Sequence, residues 1–146
     1  MLIFEAVYNG KLSSSVDVSP HCIDTAKGVF SFSSHGSSGI CFEKVSSLSW
    51  FLNSFKIKEL TLRGCHFTSE ALTVLCDSLR VNNSLTFIDC SFFSMLNKSF
   101  KALADALAVN TSVTMIAFAD TNMSVSTQKY IERKLRGRIT FEDKNY

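Results

Sequence analysis

The residues of this 146-residue chain that could do chemistry are five cysteines, three histidines and a run of cations near its end. Cys65 and His66 are adjacent, a thiol beside an imidazole. Nucleophilic attack by such a pair needs the base oriented by a third group and both side chains facing one cleft, whereas neighbours in a turn point apart. Cys65 is therefore expected to serve a turn. Cys76 follows Leu75 in an apolar helical series and is expected at the edge of the core, partly exposed, where modification could reach it. A cysteine-dependent enzyme acting through Cys65 or Cys76 is the alternative to keep open. His21 with Cys22, and His35 with Cys41, have no zinc-ligand spacing, so no metal site is expected. The segment SHGSSG lacks the Gly-Lys-Ser/Thr ending of a phosphate-binding loop and is expected to be a flexible insertion. Residues 129–138, KYIERKLRGR, carry Lys129, Arg133, Lys134, Arg136 and Arg138. Cations near a helix C-terminus are favoured by its dipole, and a solvated face is the simple outcome. Binding of anionic lipid, nucleic acid or an acidic partner is the alternative. No aromatic surface interleaves these cations, which disfavours nucleic acid.

Bulk properties narrow the class. The length suits one domain with a real core. An apolar fraction of 46% against 19% charged argues against a disordered or fibrous chain. A net charge of +2 is too small to argue for nucleic acid. No apolar run is long enough to span a bilayer. The start, MLIFEAVYNGKL, lacks a basic region and is interrupted by Glu5, so it reads poorly as a signal peptide. An odd set of five cysteines without a CxxC pair fits reduced thiols. Together these predict a cytoplasmic protein.

The elements that position these residues come from a duplication. LRVNNSL at 79–85 returns as LAVNTSV at 107–113, displaced by 28 residues. With that period the apolar columns align without gaps: Ile57, Leu85 and Val113; Leu60, Ile88 and Ile116; Leu62, Cys90 and Phe118; Phe67, Met95 and Met123. Leu75, Leu103 and Ile131 form another, as do Leu79, Leu107 and Leu135. Asn82 aligns with Asn110, and Ser84 with Ser112. Such fixed self-similarity marks a repeat architecture. Each unit changes period midway. IKELTL, LTFIDC and VTMIAF alternate as strands do. Leu72, Leu75 and Leu79, and likewise Phe100, Leu103 and Leu107, have helical spacing. Thr68 or Ser69, with Glu70 in the first turn, predicts a helix start. Asn82 and Asn110 predict helix exits, because Asn tolerates left-handed backbone.

The pattern Ile57-Lys-Glu-Leu60-Thr-Leu62-Arg-Gly-Cys65, followed by Phe67, resembles the leucine-rich repeat. The 28-residue unit with a full helix resembles its ribonuclease-inhibitor-like class, which also occurs in tropomodulin, NOD-like receptors and many eukaryotic cytoskeletal or ciliary proteins. The resemblance covers residues 57–138. The family's Asn/Cys position is Cys65 in the first unit; Phe93 and Thr121 depart from it. The resemblance implies an α/β fold: a right-handed β-α solenoid with a parallel sheet on its concave side and helices on its convex side.

The expected organisation has three parts. Residues 1–56 form an N-terminal cap with a degenerate leading repeat, residues 57–138 hold three repeats (57–84, 85–112 and 113–138), and residues 139–146 form a capping strand and tail. In the first part LIFEAVY and VDVS read as strands, and residues 1–42 as mostly a β cap. EKVSSLSWFLNSF, with Val45, Leu48 and Leu52, reads as the leading helix, bulked by Trp50, Phe51 and Phe55. Its strand is either VFSF at 29–32 or ICF at 40–42. Solenoid ends expose core, so end units are modified. Ile139 and Phe141 alternate as a last strand pairing onto the third.

Outward strand positions then fall in rows: Glu59, Phe87 and Met115; Thr61, Asp89 and Ala117; Arg63, Ser91 and Ala119. Adjacent Phe87 and Met115 on one face are expected to form a contact patch, the alternative being that the N-terminal segment folds over this face. Glu59, Thr61, Arg63, Phe87, Asp89, Ser91, Met115 and Ala117 are the expected protein-binding residues. The expected function is a non-catalytic protein-interaction module or scaffold subunit, with a protein partner and no cofactor, metal or small-molecule substrate.

Overall fold

Alternation at residues 59–61, 87–89 and 115–117 produces three short strands that lie side by side. The structure, a computed structural model, describes residues 56–142 in full and, before them, the backbone of five strands. Those five are β1 (Ile3–Tyr8), β2 (Lys11–Asp17), β3 (Ile23–Asp24), β4 (Val29–Ser31) and β5 (Ile40–Lys44). There follow β6 (Glu59–Thr61), β7 (His66–Phe67), α1 (Ser69–Val81), β8 (Phe87–Asp89), α2 (Asn97–Val109), β9 (Met115–Ala117), α3 (Val125–Lys134) and β10 (Ile139–Thr140). The fold is mixed α/β. A six-stranded sheet runs β10-β9-β8-β6-β4-β3, parallel throughout except for the antiparallel β3–β4 pair. A four-stranded sheet runs β2-β1-β5-β7.

The parallel register follows the sequence columns. Leu60 pairs with Ile88, Ile88 with Ile116, and Ile116 with Ile139. On the other side Phe30 pairs with Leu60, so VFS at 29–31, and not ICF, leads into the stack. ICF belongs instead to β5, which pairs antiparallel with β1 and parallel with β7. Three expectations change here. Glu43 and Lys44, read as the start of a helix, end β5, and residues 45–55, including Trp50, Phe51 and Phe55, lie outside the described residues. β2 spans Lys11–Asp17 and so begins well before VDVS, whose last two residues lie outside the described residues. His66, expected in a turn, joins Phe67 in β7, because that segment pairs with Cys41 and Phe42 of β5.

The repeating apolar columns are buried. Ile57, Leu85 and Val113 open the strand side; Leu79, Leu107 and Leu135 close the helical side; Leu60, Ile88 and Ile116 fill the space between. Each fully buried Leu or Ile contributes about 1.5–3 kcal/mol relative to exposure, so these columns outweigh any surface interaction in the chain. Phe100 and Phe118 meet edge to face at 6.3 Å between ring centroids.

The helices start as their caps dictate. Thr68 Oγ1 accepts the Ala71 amide at 3.2 Å, and Ser124 Oγ accepts the Thr127 amide at 3.3 Å. Leu96 occupies the same column at the start of α2 and supplies no side-chain cap. Asn97 links that start to α3 instead, its Oδ1 accepting from the Ser124 amide and the Thr127 hydroxyl, both at 2.9 Å.

The helix exits differ from the expectation. Asn82 and Asn110 are not left-handed: their φ/ψ are −68°/135° and −68°/129°, extended backbone. Asparagine is needed here for its carboxamide. Asn110 Nδ2 donates to the carbonyls of Leu79 (2.7 Å) and Asn82 (2.8 Å), one unit back. Its Oδ1 accepts the amides of Ser112 and Val113, each at 2.8 Å, and so shapes its own turn. Asn82 Oδ1 does the same for Ser84 (3.0 Å) and Leu85 (2.8 Å). One unit on, Arg138 Nη2 donates to Leu107 O (2.9 Å), while its Nη1 donates to Asn110 O (2.9 Å) and Val113 O (3.0 Å). Arg138 thus continues the asparagine column, and its longer side chain reaches these carbonyls from just ahead of β10.

Asn110 is 2% exposed, so truncating it strands two buried amides and weakens the contacts of two carbonyls. Asn110→Ala should lower unfolding free energy by about 3 kcal/mol in urea titration, with m unchanged. A loss below about 1 kcal/mol would show the column to be incidental.

Candidate functional site

β6, β8 and β9 of the central sheet are each only three residues long, and this decides what their open face can present. In the first row Glu59, Phe87 and Met115 are neighbours in parallel register. Glu59 is exposed, Phe87 half-buried, and Met115 39% exposed. In the second row Thr61 is half-buried, while Asp89 and Ala117 are buried. Arg63 is largely covered, and Ser91 and Ala119 are fully buried. Asp89, Ser91 and Ala117, expected as exposed contacts, are therefore covered and not open to a partner. Arg63, Ser91 and Ala119 lie beyond the strands, where alternation no longer applies, whereas Asp89, within β8, is covered by its Arg63 and Ser91 partners.

The covered polar groups are satisfied. Asp89, 3% exposed, takes Arg63 Nη1 on Oδ2 at 3.2 Å and the Ser91 amide on Oδ1 at 2.9 Å. Ser91 Oγ accepts the Ala119 amide at 3.1 Å. A buried carboxylate with a guanidinium and an amide partner avoids the desolvation cost of a lone charge.

The turns after the strands also repeat. Gly64, Phe92 and Asp120 lie in one column and are all left-handed, with φ of 66°, 60° and 50°. Successive turns are joined by Gly64 N–H donating to Ser91 O at 2.9 Å and Phe92 N–H donating to Ala119 O at 2.8 Å. Left-handed backbone is natural for glycine, tolerable for Asp, and costly for a bulky residue. Phe92 nevertheless holds it, 41% exposed, with the Arg63 guanidinium 4.8 Å from its ring centroid. Sequence reasoning passed over Phe92. The signal was present, since a Phe stands in the column that begins with Gly64.

The cysteines do not assemble a nucleophile. Cys65, Cys76 and Cys90 are buried, so Cys76 is not the partly exposed thiol expected from its position. Burial pushes the Cys65 thiol up to about 12 and Cys76 up to about 11, where Arg80 partly offsets the rise. Burial, with neighbouring Asp89, raises Cys90 well above the ordinary thiol range. His66 is exposed, beside a buried Cys65. Among the described residues no group of three or more His, Cys, Asp or Glu could hold a metal ion. His21, Cys22, His35, the side chain of Cys41 and the SHGSSG loop lie outside the described residues.

The basic segment 129–138 is partly committed within the protein. Arg138 binds backbone carbonyls, as described above. Lys134 Nζ lies 3.2 Å from Asp105, whose carboxylate also accepts the Tyr130 hydroxyl at 2.7 Å. The Tyr130 bond, with Lys134, lowers the Asp105 carboxyl, and Asp105 in turn raises Tyr130 and Lys134. The ammonium groups of Lys101 and Lys134 lie 5.4 and 5.6 Å from the Tyr130 ring centroid. Lys129, Arg133 and Arg136 remain exposed. No helix among the described residues is long and apolar enough to cross a membrane. The chain matches no known protein family and no curated protein.

The thiols give a signed prediction. Their folded-state values lie above the ordinary 9.0, so the stability that depends on their being neutral is complete below pH 9 and is lost as pH rises toward 11 to 12. Unfolding free energy should fall by roughly 1.4 kcal/mol per pH unit for a fully buried thiol such as Cys65 above pH 9. Chemical denaturation between pH 8 and pH 11 checks this. A flat profile, or rapid thiol labelling of the native protein at neutral pH, would contradict it.

Proposed function

We propose that the chain is a leucine-rich-repeat protein of the ribonuclease-inhibitor-like class and that it acts as a non-catalytic scaffold binding a protein partner. In this reading the units at 57–84, 85–112 and 113–138 form a solenoid, with the parallel sheet on its concave side and the helices on its convex side. The register of Leu60, Ile88 and Ile116 supports it, as does a strand and helix in each unit.

The observation that carries the binding reading is the row Glu59–Phe87–Met115. It sets two large apolar side chains side by side at the surface, bordered by a carboxylate. Aromatic and methionine side chains are enriched at interface centres, where a few anchors supply most of the affinity. Asp89, Ser91 and Ala117 leave the contact set because they are buried; Asp89 holds Arg63, and Ser91 holds the turn at Ala119. A cysteine-dependent activity is disfavoured by thiols held neutral at physiological pH. Anionic ligands on the helix at 129–138 are disfavoured by the internal use of Arg138 and Lys134.

Replacing Phe87 and Met115 together by Asp should leave the fold intact, because neither is fully buried, and should abolish partner capture. Circular dichroism melting and quantitative pull-down from the source cell, wild type against variant, measure both. Undiminished capture by the folded double variant would exclude this row as the interface.

A further inference from the structure

We infer that Phe92 is an anchor of the binding face and that the partner presents a large apolar side chain flanked by cations. The inference rests on the binding reading above and names the chemistry it would recognise. Two observations carry it. First, Phe92 combines a left-handed backbone, φ 60°, with 41% exposure of its side chain. A residue placed for packing gains burial in return for strain, yet here the strain persists at the surface. Such outliers cluster where a side chain must be presented in one orientation. That orientation is fixed further by the Arg63 guanidinium at 4.8 Å, which Asp89 holds in turn at 3.2 Å. Rigid aromatic anchors lose little entropy on binding.

Second, Phe92 is bordered by acid on the turn side. Glu59 begins the row that contains Phe87 and Met115, and Asp120 follows Phe92 in the column of left-handed turns. Both carboxylates are exposed, and neither has a partner among the described residues. The one local carboxylate with a cation, Asp89, is already neutralised by Arg63. Lys56 and Lys58, both exposed just ahead of Glu59, offset its charge, so the acidic border lies at the turn side, at Asp120 beside Phe92. A basic–apolar segment complements this arrangement, whereas an acidic–apolar one meets like charge.

Fluorescence anisotropy with labelled decapeptides tests the inference. One peptide sets Leu and Phe between lysines, the second sets them between glutamates, and the third keeps the lysines but carries Ser in place of Leu and Phe. The full chain is expected to bind the first at least about tenfold more tightly than the other two, with affinity falling as salt rises. Phe92→Asn keeps a residue that tolerates left-handed backbone. It should leave the melting temperature within about 3 °C of wild type while weakening the first peptide about tenfold. Glu59→Gln with Asp120→Asn should erase the preference between the first two peptides. Equal binding of all three peptides, or no binding of any, overturns the inference. So does a Phe92→Asn protein that melts well below wild type yet binds unchanged, since Phe92 would then be a packing residue. Those failures leave the Phe87 and Met115 row standing if their double replacement still abolishes partner capture.

Discussion

The side chain of Asn110 joins two consecutive units through five hydrogen bonds: two to carbonyls of the unit before it, and three from its own turn, donated by two amides and the Ser112 hydroxyl. That arrangement ties the end of α1 to the turn that leads into β9. α1 ends where Leu79 O meets the Asn110 carboxamide, α2 ends where Leu107 O meets the Arg138 guanidinium, and β8 and β9 follow turns bent by the carboxamide oxygens of Asn82 and Asn110. A buried carboxamide has few ways to satisfy both its ends, so a slip of one residue between units would orphan several groups at once. The apolar columns supply the larger share of stability, but any apolar column would accept some sliding. The polar column fixes the register.

The consequence reaches the surface. Because the units cannot slide, Glu59, Phe87 and Met115 come into one row, and Gly64, Phe92 and Asp120 into one column. Asp89 and Ser91 are covered and hold Arg63 and the following turn. Positions that repeat as apolar or amide-bearing residues build the scaffold. Positions that vary between units, and remain open to solvent, are the ones left for recognition.

Much of the scaffold could be read from the residues. The 28-residue columns gave the strand register, the helical spacing and the cap at Thr68. What escaped reading depended on bonds between units rather than within them. Asn82 and Asn110 looked like left-handed exits because that is asparagine's local preference, while both are extended and Asn110 is held by carbonyls 28 and 31 residues away. Arg138 looked like one more cation in a basic run, and only the geometry puts its guanidinium on the last carbonyls of α2 and the turn after it. The contact rows were overextended because alternation was carried past three-residue strands into turns. The β7 strand was missed because two residues, His66 and Phe67, carry no periodicity, and their partner strand comes from the distant segment at 40–44.

The claim that the asparagine column fixes the register is tested most directly by native-state hydrogen exchange followed by NMR. The account predicts that the amides of Ser84, Leu85, Ser112 and Val113, together with the Asn110 carboxamide protons, exchange slowly and with a common opening free energy close to that of global unfolding. Exchange of these protons as fast as that of the exposed neighbours Asn83 and Thr111 would contradict it.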